Sequence, residues 1–363
     1  MLLLSNADVA EVLDMETTMA ALEEAYLGVA DGGATCRPRI DVNIPTSDPE
    51  RVYRWGTMEG GARDGYFAIR MKSDVLHWET AADGTVTREK FCGRPGLFLG
   101  LILLTSTETG LPLALIQDGV LQHMRVGGDG GLGVRYMART DAEVVGMLGS
   151  GGMAKTHVAS FLTARPGIRR LKVYSPTRAH REAFGARAAD THGIEVEVCD
   201  RPEAIYEGAA IVAALTDATA PVLDGDRLEP GTHVVNIGGG GVPDRRTLER
   251  VDVYLRMGDA PAPEGLPPFE QEYLSWRVGA PPARRPKEKA HGNMLPGRRV
   301  SLKEIRDGSH PGRTSDDQIT WSERGNLQGA QFFSVAGRAY EAARDKGLGR
   351  EIPDDWLLQT IRN

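Results

Sequence analysis

Apolar positions in the first third of the chain alternate between two periods. Over residues 5–27, Val9, Val12 and Leu13, then Leu22, Ala25 and Tyr26, recur at helical spacing with a break at 15–18. Two short helices are expected there, behind a polar cap at Ser5. Past Gly32-Gly33, residues 36–45 (CRPRIDVNIP) alternate as a strand does, and a regular strand sets Arg37, Arg39 and Asp41 on one face. Residues 66–75 repeat the alternation, which puts Arg70 and Lys72 on one side. The runs 98–105 and 112–118 read as core strands joined by a turn at Glu108-Thr-Gly110, and the polar stretch 79–94 before them as a rim loop.

From Val144 onward the pattern becomes strand, helix, strand. Strands are expected at 144–148, 171–174, 194–198, 209–215 and 233–237, which calls for a parallel sheet wound with right-handed crossovers. Ahead of it, residues 127–133 hold five glycines in seven positions. Each costs a helix about 1 kcal/mol against alanine, so this segment is either a helix against which something packs very closely or a flexible hinge. Residues 261–299, rich in Pro, Arg and Lys, read as an irregular excursion, a lid or an oligomer contact. Ser301 and Glu304 have the spacing of a capping box, and residues 329–346 form a final helix.

The first of these strands runs into Gly149-Ser150-Gly151-Gly152-Met153-Ala154, a Gly-x-Gly-x-x-Ala turn that opens a helix. The first glycine permits the turn, the second lets backbone approach a pyrophosphate, and the small last residue lets helix and sheet close up. Free amides at the positive end of the helix then hold the phosphates. At the end of the second strand, where an acid would accept from the ribose 2′-hydroxyl of NAD, stand Ser175, Thr177 and Arg178. Hydroxyls and a guanidinium suit a 2′-phosphate, so NADP(H) is favoured over NAD(H), with a merely exposed Arg178 as the plain alternative. Thr216 after the fourth strand, and Gly238 and Gly239 after the fifth, complete the expected cofactor contacts at the carboxyl edge of the sheet.

Bulk properties narrow the field. With 363 residues, two domains are expected. A formal charge of −7 argues against nucleic acid, and no apolar run suits a bilayer or a signal peptide. Cys36, Cys92 and Cys199 lie far apart without zinc spacing. A soluble cytoplasmic protein without a metal or membrane partner is the expectation. Arg39 on its own reads as a solvated strand residue. The like charges of Arg70 and Lys72 need an anion between them, either a ligand carboxylate or Asp74 or Glu79.

Met124-Arg125, GSGGMAKTH, ALTDATAPVLDGDRLEPGTHVVNIGG, SLKEIRDGSHPGRTSDDQITW and AGRAYEAARDKGLG together resemble the ornithine cyclodeaminase/mu-crystallin family. The insert and the ending QFFSVAGRAYEAARDKGLGREIP are most similar to the branch named for the second component of a tyramine oxidase, a label that says little about chemistry. The resemblance implies an α/β chain: a Rossmann-type doubly wound parallel sheet (123–321, with the irregular insert 260–299) set into a smaller α+β substrate-binding and dimerisation domain (1–122 and 322–363). It implies a homodimer acting on a small carboxylate-bearing substrate held by Arg39, Arg70 and Arg125. The family's lysine falls at Arg70, and Lys72 is a possible substitute. Members bind NAD(P)(H) and work on amino acids, imines or oxo acids. An oxidoreductase acting on a C–N bond (an imine or ketimine reductase, or an amino acid dehydrogenase) is the first expectation. A redox-neutral cyclodeaminase-type lyase using bound NAD+ is the second, and a non-catalytic NADP(H)-binding accessory protein the third. Glycines at 238–241 where cyclodeaminases carry an aspartate, and Val126 where the family has threonine, argue against ornithine cyclisation.

Overall fold

A computed structural model describes residues 1–80, 86–216, 218, 221–237, 243–267, 273–281 and 295–361. Two sheets organise them. The first is mixed and runs Tyr273–Arg277, Arg39–Pro45, Val52–Ala62, Tyr66–Thr80, Leu99–Ser106, Pro112–Gln117, Leu2–Leu4 and Arg350–Glu351, with Ala34–Cys36 and Val86–Phe91 paired beside it. The second is parallel throughout: Glu195–Val198, Arg170–Tyr174, Val144–Leu148, Ile211–Ala214, His233–Asn236, Thr320–Glu323, Val253–Arg256 and Arg299–Ser301. Its first five strands stand in the doubly wound order 3-2-1-4-5, so the order reverses between Val144–Leu148 and Ile211–Ala214. A crevice opens at the carboxyl ends of such a pair.

Among the described residues, eight α-helices accompany the sheets: α1 (Asn6–Val12), α2 (Met15–Ala30), α3 (Gly119–Met137), α4 (Gly152–Ala164), α5 (Arg178–His192), α6 (Arg245–Arg250), α7 (Leu302–Arg306) and α8 (Gln328–Asp345). Ser5 caps α1 and Ser301 caps α7, each through a capping box. The glycine-rich segment is α3, a continuous buried helix and not a hinge. A Cβ on Gly127 would stand 2.7 Å from Thr156, and one on Gly130 2.7 Å from the His157 ring, both on α4. On Gly133 it would stand 2.0 Å from Ser322 Oγ. The glycines bring α3 against the nucleotide half of the molecule at backbone distance, and the close packing offsets their poor helix propensity.

Two expectations need correction. The 79–94 stretch is not a rim loop: residues 86–91 form a strand antiparallel to the end of Tyr66–Thr80. Its polar residues are those of an outer strand, which sequence alone does not separate from a loop. Nor is the 261–299 excursion irregular throughout. Tyr273–Arg277 adds a parallel strand beside Arg39–Pro45, where Asn43 donates through Nδ2 to Ser275 Oγ and to the Trp276 carbonyl. The strand expected at 36–45 is broken at Pro38, which leaves Arg37 paired outward with Glu59 and Arg39 turned the other way.

Side chains alternate cleanly across the mixed sheet. On Tyr66–Thr80, Ala68, Arg70, Asp74, Leu76 and Trp78 are buried, while Phe67, Ile69, Met71, Ser73 and Val75 are half-buried. Helix α8 packs against this strand and against Val52–Ala62. Among the described residues, no helix is long and apolar enough to cross a membrane.

Candidate functional site

The dinucleotide turn is built as its residues require. Gly149 has φ +118°, and a Cβ there would lie 2.2 Å from the Leu215 carbonyl oxygen at the end of the neighbouring strand, so glycine is required. Gly151 is the N-cap of α4 and offers no side-chain cap, leaving the first amides of the helix without a capping partner. A Cβ on Gly151 would meet nothing within 4 Å. Ala154 is fully buried against the sheet, and Met153 is half-buried one residue earlier. Ser150 and Ser175 hydroxyls lie 2.9 Å apart across the crevice.

Thr177 is the N-cap of α5, again without a side-chain cap bond. Arg178, by contrast, is exposed and paired with Glu182 at 2.7 Å on its own helix. Arg181, which nothing in the sequence singles out, is buried, donates to the Ser175 carbonyl at 2.9 Å and pairs with Asp200. Thr216 Oγ1 accepts from the Ala218 amide. Gly238 and Gly239 lie outside the described residues.

A second constellation stands on the buried face of the mixed sheet. Register sets Asp41 beside Gly56 and Gly56 beside Lys72, then Lys72 beside Gly100. One row to each side come Met58 with Arg70, and Asn43 with Arg54 and Asp74. The two glycines make room for carboxylates. A Cβ on Gly56 would approach Asp41 Oδ1 to 2.8 Å, and one on Gly100 would approach Asp118 to 2.1 Å.

Each cation has its own environment. Arg39 donates through Nε to Asp41 Oδ1 at 2.8 Å, and its Nη2 is buried without a partner among the described residues. Burial, reinforced by the nearby Arg54 charge, lowers its pKa to about 10. Arg70 donates to Asp118 Oδ2 through Nε at 2.7 Å and Nη2 at 2.5 Å, which neutralises it locally. Lys72 Nζ lies 2.7 Å from Asp74 Oδ2, an oxygen it shares with Arg54. Burial, then the Arg54 and Lys90 charges, outweigh that carboxylate and bring the Lys72 pKa down to about 6.

Arg125 differs from all of these. It is only 4% exposed, and it donates to amide oxygens: Gln331 Oε1 at 2.5 Å and Gln122 Oε1 at 2.8 Å. Among the described residues its Nε has no partner. Burial, aided by the Arg324 and Arg70 charges, holds its pKa well below the usual arginine value. Arg125 and Arg70 share the face of Phe332, 4.9 and 5.5 Å from the ring centroid.

His123 joins the two constellations. It precedes Arg125 by two residues on α3, and its Nε2 stands 2.8 Å from where a Gly152 Cβ would be, at the start of α4. Arg39, Arg70, Lys72 and Arg125 thus share one region that borders the dinucleotide turn, while Arg178 faces solvent. Arg54, Asp118, His123 and Gln331 went unrecognised in the sequence, whereas Asp74 was already a candidate partner for the Arg70 and Lys72 charges. The signal for Arg54 was the alternation of Val52–Ala62, which places Arg54, Gly56 and Met58 on one face.

The family model for the ornithine cyclodeaminase/mu-crystallin family matches residues 88–347, well over half of the chain, and the chain belongs to that family. An alanine dehydrogenase of Archaeoglobus fulgidus is 25% identical over 97% of this chain and 98% of its own length. Among solved structures, the Δ1-pyrroline-2-carboxylate reductase of Thermococcus litoralis, in complex with NADH and L-proline, superposes with a TM-score of 0.74. It is 23% identical over 97% of this chain and all of its own. An archaeal alanine dehydrogenase dimer with bound NAD gives 0.71 at 22% identity, covering 97% of this chain and 98% of its own. These two structures share the fold found here.

Proposed function

We propose that this chain is an NAD(P)(H)-dependent oxidoreductase acting on the C–N bond of a small carboxylate-bearing amino acid or imine. The observation that carries the reading is Arg125, a buried guanidinium with amide partners in place of a counterion, on the helix whose His123 touches the dinucleotide turn. A buried cation without a carboxylate is costly unless an anion arrives. The names of the family relatives, an alanine dehydrogenase and a pyrroline-2-carboxylate reductase, support the same chemistry.

Gly149, the open space at Gly151 and the uncapped start of α4 fit a dinucleotide pyrophosphate. The bound cofactor supplies or accepts the hydride at the substrate carbon. Arg125 holds a substrate carboxylate and fixes its orientation, and Arg39 lines the pocket beside Arg54 and Lys72. Lys72 carries the proton that the imine nitrogen takes up in reduction, and Arg70, tied to Asp118, contributes fixed charge. A lysine with a depressed pKa exchanges protons readily, whereas an arginine paired with a carboxylate does not. With a reduced nicotinamide bound, its hydride and the Lys72 proton would together convert C=N to CH–NH.

Ser175 and Thr177 hydroxyls, in place of an acid after the second strand, support NADP(H) over NAD(H). The free thiols of Cys36, Cys92 and Cys199 suit a reducing cytoplasm. The experiment is reductive amination of a panel of small 2-oxo acids with ammonium, followed by loss of reduced-nicotinamide absorbance. NADPH is expected to give the higher kcat/KM. Ammonia release from an amino acid with no net absorbance change would instead indicate a cyclodeaminase-type lyase.

The sign of the pH dependence follows from Lys72, whose pKa lies near 6. Reduction needs its protonated form, so kcat/KM for the imine should fall as pH rises through about 6. Oxidation of the amine needs the neutral form and should rise through the same range. Lys72→Met should flatten both limbs. Unchanged profiles in that variant would remove Lys72 from proton transfer.

The outer face of the mixed sheet supports a homodimer. Leu3, Leu115, Leu103 and Ile69 form one cross-strand row, and Trp276, Val42, Trp55, Ser73 and Leu99 another. Trp276 is 55% exposed and Leu3 and Leu99 38% each, an apolar patch of the kind that marks an interface. Ile69→Asp, in the middle of that face, should shift sedimentation from dimer to monomer, and an unchanged dimer would put the interface elsewhere.

A further inference from the structure

We infer that the substrate pocket is built for a ligand with two acidic groups, a short imino or amino dicarboxylic acid. The inference rests on the amino acid/imine reading above and specifies its substrate class. It comes from pairing each cation with its partner. Arg39 has Asp41, and Arg70 has Asp118. Arg54 and Lys72 must share Asp74, through the same oxygen. Arg125 donates to amide oxygens, with the Asp129 carboxylate acting on it through Gln331. Guanidinium N–H donors therefore outnumber their acceptors at two separate places, at Arg125 and at the corner formed by Arg39, Arg54 and Lys72.

Among the described residues, unpartnered donors fall at the same two places. Arg125 Nε is orphaned at one, and Arg54 Nε and Arg39 Nη2 at the other. The Arg54 residue is only 6% exposed. Burying N–H groups without acceptors is costly, and the cost is recovered when an anion binds. The corner also holds one orphaned acceptor, Asp74 Oδ1, which matches a substrate N–H.

Spacing argues against one carboxylate serving both places. Arg70, which shares Phe332 with Arg125, and Lys72, at the corner, are two residues apart on one strand, about 7 Å. That separation of backbone anchors suits the two ends of a short diacid better than one carboxylate. Gly56 keeps the corner open: a Cβ there would press on Asp41 Oδ1 and come within 3.6 Å of Arg39 Nη2. Lys90 adds a further positive charge felt at Lys72, with its Nζ 5.9 Å from the Phe98 ring centroid.

Calorimetric titration of the purified chain with succinate and with propionate tests this, with NADPH present and again without it. Succinate is expected to bind at least tenfold more tightly than propionate. In Arg54→Met the two acids should bind alike. Equal affinities in the wild-type chain, or a succinate advantage that survives Arg54→Met, would overturn the proposal. Should that variant fail to fold, Gly56→Ser, which fills the same corner from the neighbouring position, must abolish the advantage instead. The titration needs no turnover. A chain that prefers succinate but oxidises NADPH with no imine keeps its diacid site and loses the oxidoreductase reading. One that reduces monocarboxylate imines without any succinate preference does the reverse.

Discussion

Arg125→Met is expected to lower kcat/KM by about two to three orders of magnitude, because a desolvated charge pair is worth about 2–5 kcal/mol when one partner is removed. The same substitution should leave the melting temperature unchanged or raise it. Arg125 is a buried cation facing Gln331 and Gln122, with Nε unpartnered among the described residues. An unbranched apolar side chain removes that desolvation penalty. It also keeps contact with Phe332 through its sulfur. Stability and activity therefore move in opposite directions, which a purely structural arginine would not allow. Arg125→Lys should recover little, since an ammonium cannot reproduce a two-point grip on a carboxylate. A variant with wild-type kcat/KM would detach Arg125 from the substrate. One that loses ligand affinity in a chain with no measurable turnover would favour an accessory binding protein.

The parallel half of the fold was legible because each of its first five strands is a short apolar run followed by a helix-length segment. Strands Val253–Arg256, Arg299–Ser301 and Thr320–Glu323 escaped notice. They are three or four residues long, and two of them carry a buried polar group, Arg256 and Thr320, that breaks the apolar signal. Helix α3 was ambiguous for a different reason. Propensity disfavours it locally, and only tertiary contact with Thr156, His157 and Ser322 explains why it forms. The dinucleotide turn could be read in full because its chemistry is local in sequence. The cation corner could not, because Arg54–Asp74 joins two strands and Arg70–Asp118 joins a strand to the start of α3, with members 20 and 48 residues apart. Arg70, Lys72 and Asp74 were visible as neighbours on one strand, but which cation exchanges protons depends on Asp118 and Arg54, which reach them only through the register of the sheet.

That register also explains why dinucleotide and substrate chemistry meet. Helix α3 carries His123 and Arg125 within one turn and lies against α4 at backbone distance through its glycines. A shift of α3 would move the carboxylate-binding arginine and the contact at Gly152 together. The five glycines thus hold the two halves of the site at a fixed separation, at the cost of local helix stability.

A pair of substitutions in the turn separates folding from cofactor binding. Gly149→Ala forces a side chain into φ +118°, with its Cβ 2.2 Å from the Leu215 carbonyl oxygen, so the strand-to-helix junction has to open. Backbone strain of this kind costs about 1–3 kcal/mol before the clash is counted. A melting temperature lower by several degrees is expected, together with loss of measurable NADPH binding. Gly151→Ala adds the same methyl group where nothing in the chain lies within 4 Å. Its melting temperature should match the wild type, and a normal N-cap φ of −81° means no strain. Yet NADPH affinity, read by quenching of intrinsic fluorescence, should fall at least tenfold, about 1.4 kcal/mol, because backbone at this position must approach the pyrophosphate. If Gly151→Ala binds NADPH as the wild type does, the phosphates do not lie on this turn. The carboxylate-binding arginine would then have no hydride donor beside it.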